Sequence, residues 1–167
     1  MPAEFKPKPM LQALARHDVD FVVVGGLAGM MLGSSYPSFD LDIAYERSPA
    51  NLERLAAALA ELGATLRGAP ADPPFLLDAR TLQAGANYTF DTRHGPLDVL
   101  SDIAGAPPYE KLRSDSAEGE IASVAVRVSS IDHLIAMKEA AGRTKDKLMA
   151  TEYRALADEI RRRESES

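Results

Sequence analysis

The chain has 167 residues, of which 46% are hydrophobic and 26% are charged, and its formal net charge at pH 7 is −6. These values are typical of an ordinary globular protein, and we predict one domain over residues 1–167. No apolar run approaches the ~20 residues of a membrane span, so no membrane partner is expected. The absence of cysteine excludes thiolate catalysis and, with only three scattered histidines, leaves oxygen ligands as the expected metal chemistry.

The first half of the chain alternates predicted strands and helices. Residues 1–9 contain the segment FKPKP and are predicted to form an extended N-terminal arm, with no apolar secretory signal, so a cytoplasmic location is expected. The predicted elements that follow are a short helix at 11–17, a buried strand at 21–24, a helix at 27–33, a strand at 40–45 and a helix from Pro49 to residue 62.

The second half is predicted to complete a sheet and then to form two helices. The expected elements are weak strands at 64–67 and 75–78, a hairpin of strands at 88–92 and 97–100, a last strand at 124–128, and C-terminal helices within 130–163. This order predicts an α/β (α+β) fold in which a mixed sheet has helices on one face and an open cleft on the other, followed by the two C-terminal helices.

The segment VVVGGLAGMMLGSSYPSFDLDIAYE, from Val22 to Glu46, is the most informative part of the sequence. Strand alternation places Asp40 and Asp42 on one face, and it sets Asp98 apart from Leu97 and Val99 in the same way. Carboxylates held together repel each other unless a cation lies between them, so we predict a site for Mg2+, or Mn2+ in its place. Asp102 shares the face of Asp98 and is the rival third acid.

The turn before these carboxylates is suited to phosphate. Gly25 and Gly26 have no Cβ, so an anion can approach the backbone N–H groups at the start of the following helix. Ser38 could add a hydroxyl donor two residues before Asp40. Three carboxylates beside such a turn fit nucleotidyl transfer, in which two metal ions offset the charge that develops at phosphorus.

The string Gly25-Gly26, thirteen residues and then Asp40-Leu41-Asp42-Ile43 resembles the signature of the DNA polymerase β-type nucleotidyltransferase superfamily. The later segment LIAMKEAAGRTKD, which ends at Asp146, is similar to the Lys-x-x-x-x-Arg-x-Lys-Asp segment of minimal, abortive-infection-type members, which often act as toxins of toxin–antitoxin pairs. Relatives commonly carry Arg where this chain has Tyr36, two residues before Ser38.

The resemblance implies a role for each matched residue. Asp40 and Asp42 would bind the metal ions, and Asp98 would be the third ligand or the base. The triphosphate would be held by Gly25, Gly26 and Ser38, and the nucleotide or its phosphates by residues of the Lys segment, namely Lys138, Arg143 and Asp146. For Lys138 the sequence adds its own argument, because this cation follows the apolar helical stripe of Ile131, Leu134 and Ile135.

Each motif also has a simpler interpretation. Gly25-Gly26 can be an ordinary strand-to-helix turn, and the Asp40-x-Asp42 pair can be a solvated strand edge. Lys138 can extend along its helix to water, and Asp146 can serve only to stabilise a helix N-terminus. A Rossmann site is excluded because Gly-x-Gly-x-x-Gly is absent.

Taken together, the motifs predict a metal-dependent nucleotidyltransferase that moves an NMP from an NTP to an acceptor hydroxyl and releases pyrophosphate. Eight basic residues against five acidic ones between Lys138 and Arg163 favour tRNA or another RNA as the acceptor. The resemblance further implies a toxin with a cognate antitoxin protein. The alternative is a catalytically degenerate module that binds a nucleotide or a protein. An aminoglycoside-type modifier is less favoured, because a larger C-terminal substrate domain would be expected.

Overall fold

The computed structural model describes residues 3–70 and 72–166, which form seven helices and seven strands. The helices are α1 Pro7–Arg16, α2 Gly25–Met31, α3 Pro49–Glu61, α4 Ala79–Ala84, α5 Tyr109–Ser114, α6 Ile131–Ala141 and α7 Thr144–Glu166. The strands are β1 Phe21–Val24, β2 Leu41–Tyr45, β3 Thr65–Leu66, β4 Tyr88–Thr92, β5 Gly95–Leu100, β6 Ala117–Ile121 and β7 Val124–Val128.

All seven of these strands form one mixed sheet in the order β3-β4-β5-β2-β1-β7-β6. The pairs β2–β5 and β1–β7 are parallel, and the other neighbours are antiparallel. The predicted mixed sheet and the two helices at the C-terminal end are therefore confirmed. Among the described residues, we find no helix that is both long and apolar enough to traverse a lipid bilayer.

The two faces of β2 differ in chemistry. Leu41, Ile43 and Tyr45 are buried in the hydrophobic core, which includes apolar side chains of α1 and α3. Asp42 and Ala44 alternate to the opposite face. Helix α3 begins as expected for its sequence, because Pro49 occupies the first turn and the Ser48 hydroxyl accepts a hydrogen bond from the Asn51 N–H. The apolar face thus anchors β2 while its other face remains free to carry the carboxylates.

The extended arm predicted for residues 1–9 is wrong at its C-terminal end, because α1 begins at Pro7. Residues 1 and 2 lie outside the described residues. Pro7 and Pro9 both fall in the first helical turn, where backbone N–H groups have no intrahelical partner, so their missing donors cost the helix nothing. The following face is strongly apolar, with Met10, Leu11 and Leu14 fully buried.

The strand predicted at 75–78 is also wrong. Phe75 instead packs its ring at 5.9 Å from that of Tyr88 and 6.1 Å from that of Phe90. Asp78 precedes α4, where its carboxylate accepts a hydrogen bond of 2.8 Å from the Thr81 N–H. This segment therefore follows two prolines, which disfavour a strand, and ends in the N-cap of α4.

Three short elements were not predicted from the sequence: α4, α5 and the edge strand β6. Strand β6 forms a hairpin with β7 through Ala122 and Ser123, both of which have positive φ. Two-residue turns of this kind usually carry Asn-Gly, and Ala122-Ser123 lacks that hairpin signal.

Candidate active site

The sheet brings the three predicted carboxylates together. Asp40 directly precedes β2, Asp42 lies within it, and Asp98 lies opposite Asp42 on the parallel neighbour β5. One oxygen atom from each of the three residues lies within 4.8 Å of the others, and all three side chains are partly buried. Asp102, the rival third acid, is exposed and is outside this group, which we call the acidic triad: Asp40, Asp42 and Asp98.

The triad is electrostatically incomplete by itself. Burial, together with the negative charges of Asp40 and Asp98, raises the pKa of Asp42 to about 8, and the charge of Lys138 opposes the rise. The Oδ1 atoms of Asp42 and Asp98 are buried without a hydrogen-bond partner in the described part of the chain. Buried polar atoms normally have partners. Clustered carboxylate oxygens that lack them fit a divalent cation, so the residues present suit the Mg2+ that the sequence predicts.

The two glycines, with which α2 begins, lie against the triad. Gly25 has a φ of +70°, and a Cβ at this position would overlap the Asp42 carboxylate. At Gly26 a Cβ would lie 3.0 Å from the Ser38 hydroxyl oxygen. Ser38 donates at 3.2 Å to the Asp40 backbone carbonyl or, at 3.3 Å, to its Oδ1. The predicted phosphate-binding residues therefore adjoin the carboxylates, and the two glycines make that close approach possible.

The three residues of the Lys segment also meet. Lys138 of α6 has its side chain 19% exposed, and its Nζ lies 3.4 Å from Asp146 Oδ1. Arg143 is 77% exposed and donates from Nε to Asp146 Oδ2 at 2.7 Å. Asp146 itself is 1% exposed, and hydrogen bonding to Arg143, with help from Lys138, lowers its pKa. Both oxygens of Asp146 are therefore engaged by the two cations.

Sequence reasoning missed a cation on the other side of the triad. Arg67 follows β3, and its guanidinium pairs with Asp91 of β4 at 2.6 Å. The hydrogen bond to Asp91 raises the pKa of Arg67, and the charges of Asp98 and Asp40 add to the rise. A two-residue strand gives no periodic signal that would have placed Arg67 near the triad.

Tyr36, which stands where relatives commonly carry Arg, packs against the hydrophobic core.

Comparison with known proteins identifies the architecture. No protein-family model matches the chain, and no curated protein matches it. Among solved structures, the lincosamide antibiotic adenylyltransferase LnuA, solved with lincomycin, is 12% identical with a TM-score of 0.61 over 92% of this chain and 99% of its own. The chain has the nucleotidyltransferase fold.

Two further solved structures agree with that assignment of fold. The antibiotic-resistance factor ANT(2'')-Ia is 15% identical with a TM-score of 0.51, and the match covers 96% of both chains. A Thermotoga maritima protein described as a nucleotidyltransferase is 13% identical with a TM-score of 0.53, covering 94% of this chain and 97% of its own. The matches to LnuA and ANT(2'')-Ia span nearly all of those two chains. The size argument against a small-molecule modifier is therefore wrong.

Proposed function

We propose that this protein is a Mg2+-dependent nucleotidyltransferase that transfers an NMP from an NTP to an acceptor hydroxyl. The observation that carries the proposal is the acidic triad, with two buried oxygens that lack partners, beside the Gly25-Gly26 turn. In the reaction, the acceptor oxygen forms a bond to the α-phosphorus, the bond from that phosphorus to the bridging oxygen breaks, and pyrophosphate leaves. Catalysis of this kind depends mainly on positioning and on charge stabilisation.

The proposed role of each residue follows from its position in the site. Asp40 and Asp42 would hold Mg2+, or Mn2+ in its place, with Asp98 as third ligand or as the base that accepts the proton of the acceptor hydroxyl. The bound metal would supply Lewis-acid stabilisation of charge on the phosphoryl oxygens. Gly26 and Ser38 would contact the triphosphate. Lys138, held by Asp146 and close enough to the triad to oppose the rise in the pKa of Asp42, would neutralise charge on the phosphates.

Two surface features support a nucleotide and a polyanionic acceptor. Phe39 directly precedes Asp40, and with 71% of its surface exposed its ring is available for stacking on a nucleobase. Arg143, Lys145 and Lys147 are exposed at the start of α7, and the two lysines make no ion pair with described residues. We therefore propose tRNA or another RNA as the acceptor and, on the resemblance to abortive-infection-type members, the role of a cytoplasmic toxin paired with an antitoxin protein.

A transfer assay tests this function directly. The protein would be incubated with each α-32P-labelled NTP, Mg2+ and total tRNA, and label on RNA would be measured for the wild type, Asp40→Ala and Asp102→Ala. We expect labelled RNA with the wild type and Asp102→Ala and none with Asp40→Ala, because the exposed Asp102 is outside the triad. Transfer that survives Asp40→Ala would refute the assigned chemistry.

The second candidate is adenylyl transfer to a small antibiotic. It is favoured by the likeness to LnuA, a lincosamide adenylyltransferase, over 99% of that chain. Parallel incubations replace tRNA with lincomycin, which is bound in the LnuA structure, or with tobramycin, whose adenylyl derivative is bound in a structure of ANT(2'')-Ia. They separate an antibiotic acceptor from RNA, because each product has a distinct mass. Calorimetry with NTP distinguishes the enzyme from the catalytically degenerate binding module. An intact triad predicts NTP binding that requires Mg2+, whereas a degenerate triad does not.

A further inference from the structure

The face of the sheet that carries the acidic triad continues beyond Asp98 onto β4 and β3. Thr89 of β4 lies opposite Asp98, and Asp91 lies opposite Thr65 of β3. Residues two apart on a strand, and directly paired residues on neighbouring strands, share a face. The ion pair between Arg67 and Asp91 shows that Arg67 lies on this face too. We call these four residues, Thr65, Arg67, Thr89 and Asp91, the polar shelf.

The polar shelf lies on the opposite side of the triad from the groups expected to hold the triphosphate. Gly25 adjoins Asp42 and Ser38 adjoins Asp40, whereas Thr89 adjoins Asp98. In an in-line displacement the attacking oxygen and the leaving pyrophosphate lie on opposite sides of the phosphorus. If the triphosphate lies over Gly26 and Ser38, the acceptor hydroxyl must approach from the side of Asp98, across the polar shelf.

The guanidinium of Arg67 is fixed in place but still has free donors. Its Nε and Nη2 donate to Asp91, at 3.2 and 2.6 Å to Oδ1, and Nη1 is not engaged by any described residue. The two side chains are 51% and 54% exposed, so a ligand can reach them. A planar guanidinium held by a carboxylate loses little freedom on binding, and Arg is especially suited to phosphate. The opposite face of β4 is apolar, and Phe90 is buried there.

We propose that the polar shelf is the acceptor-binding surface and that Arg67, held by Asp91, contacts a phosphate near the terminal hydroxyl of an RNA acceptor. An open surface fits the end of a strand, whereas small ligands are usually enclosed in concave sites. Lys145 and Lys147, which are exposed at the start of α7 and make no ion pair with described residues, add further positive charge that a polyanion could meet. The inference rests on the proposed function, since it assumes transfer to an acceptor.

The test measures acceptor and nucleotide dependence separately. Label transfer from NTP to total tRNA would be measured for the wild type, Arg67→Ala and Arg67→Lys. The control is Arg16→Ala, because Arg16 also forms an exposed ion pair, here with Glu61, but lies on α1. For Arg67→Ala we expect the KM for tRNA to rise about tenfold and the KM for NTP to stay within about twofold. Arg67→Lys should recover part of the loss, because it keeps the charge but not the planar fork.

Salt dependence provides a readout that a structural role would not change. Removal of one phosphate contact should reduce the slope of log KM for tRNA against log salt concentration by about 1. Asp91→Asn should raise the KM for tRNA less than Arg67→Ala does, because the guanidinium remains but is held less firmly. Thermal melts of every variant would confirm folding.

The outcomes distinguish the inference from the function on which it rests. If the wild type binds no NTP in the presence of Mg2+, the proposed function fails. If the wild type labels tRNA while Arg67→Ala retains the wild-type KM and salt slope, the acceptor-binding role of the polar shelf fails and the function stands. Transfer to lincomycin or tobramycin but not to tRNA would overturn the RNA acceptor.

Discussion

Asp146 is buried and Asp42 is partly buried, but the surroundings of the two carboxylates differ. Asp146 is 1% exposed, and its two oxygens accept from Arg143 and lie near Lys138, so that its pKa is lowered. Asp42 adjoins two further carboxylates, has one buried oxygen without a partner, and has a pKa raised to about 8. Two cations of the chain therefore neutralise Asp146, whereas at Asp42 only Lys138 opposes the effects of burial and of two like charges.

On the proposed function, this difference distinguishes an acid that stabilises local structure from one that binds a metal ion. A buried charge that is paired and hydrogen-bonded stabilises local geometry, here the junction of α6 and α7. A buried charge beside like charges destabilises the fold by itself, and it is maintained where it binds something. The two acids should therefore respond oppositely to substitution, in activity and in the free energy of unfolding.

The largest effect is expected at Asp42. Asp42→Asn should lower nucleotidyl transfer by about a thousandfold or more, because the metal loses a ligand. At about pH 8.5, where Asp42 is ionised, the same variant should melt at or above the temperature of the wild type, since one of three repelling charges is removed. Transfer assays and thermal melts without metal check both expectations. A variant that melts well below the wild type would contradict the contrast with Asp146.

The next largest effect is expected at Gly25, for which Gly68 provides a matched control. Both have positive φ, +70° and +76°, but a Cβ at Gly25 would overlap the Asp42 carboxylate, whereas at Gly68 it would meet nothing within 4 Å. Alanine at either position costs about 1 kcal/mol of backbone strain. Only Gly25→Ala should also lower transfer, by about a hundredfold, because it displaces a ligand. Equal activity of the two variants would show that the close packing is irrelevant to the site.

A smaller effect, on stability rather than chemistry, is expected at Asp146. Asp146→Ala leaves the largely buried Lys138 without its partner and should reduce the free energy of unfolding by about 2 kcal/mol. The control is Asp132→Ala, which removes an exposed ion pair with Arg161 and should have no measurable effect on stability. Denaturant titration of the three proteins checks this. If Asp146→Ala were as stable as the wild type, Asp146 would not be the anchor of the two cations.

The sequence predicted the central strands and the convergence of the carboxylates because those features follow from local periodicity. Alternation in β2 and β5 fixed the face of Asp42 and Asp98, and only their parallel register had to be learned from the structure. The partner that Lys138 required is Asp146, eight residues later, which the spacing alone could not show. The metal and nucleotide roles of these residues stay predictions.

What the sequence could not predict depends on pairing between distant or very short segments. Arg67 reaches the polar shelf only because the two-residue strand β3 pairs with β4 at the edge of the sheet. The hairpin of β6 and β7 turns through Ala122 and Ser123, which lack the usual Asn-Gly signal. Helix α1 begins at Pro7, where proline suits the first helical turn, and it buries Met10 and Leu11 in the core, which the local sequence pattern alone did not indicate.

The smallest predicted effect is the pH dependence of stability that comes from Asp42. Its pKa rises from 3.8 to about 8 on folding, so between these values the folded state holds a proton that the unfolded state has lost. The favourable contribution is therefore complete below the lower value and is lost progressively as the pH rises towards 8. Without metal, the melting temperature of the wild type should fall over this range relative to that of Asp42→Asn.

Added Mg2+ should reverse this trend, because it competes with the proton for the same carboxylate. The increase in melting temperature caused by Mg2+ should be larger at about pH 8.5 than at about pH 5.5 for the wild type, and small at both for Asp42→Asn. Calorimetric melts at the two pH values, with and without Mg2+, measure the effect. An increase of equal size in both proteins would place the ion elsewhere, and Asp42 would then lack the counter-charge that distinguishes it from Asp146.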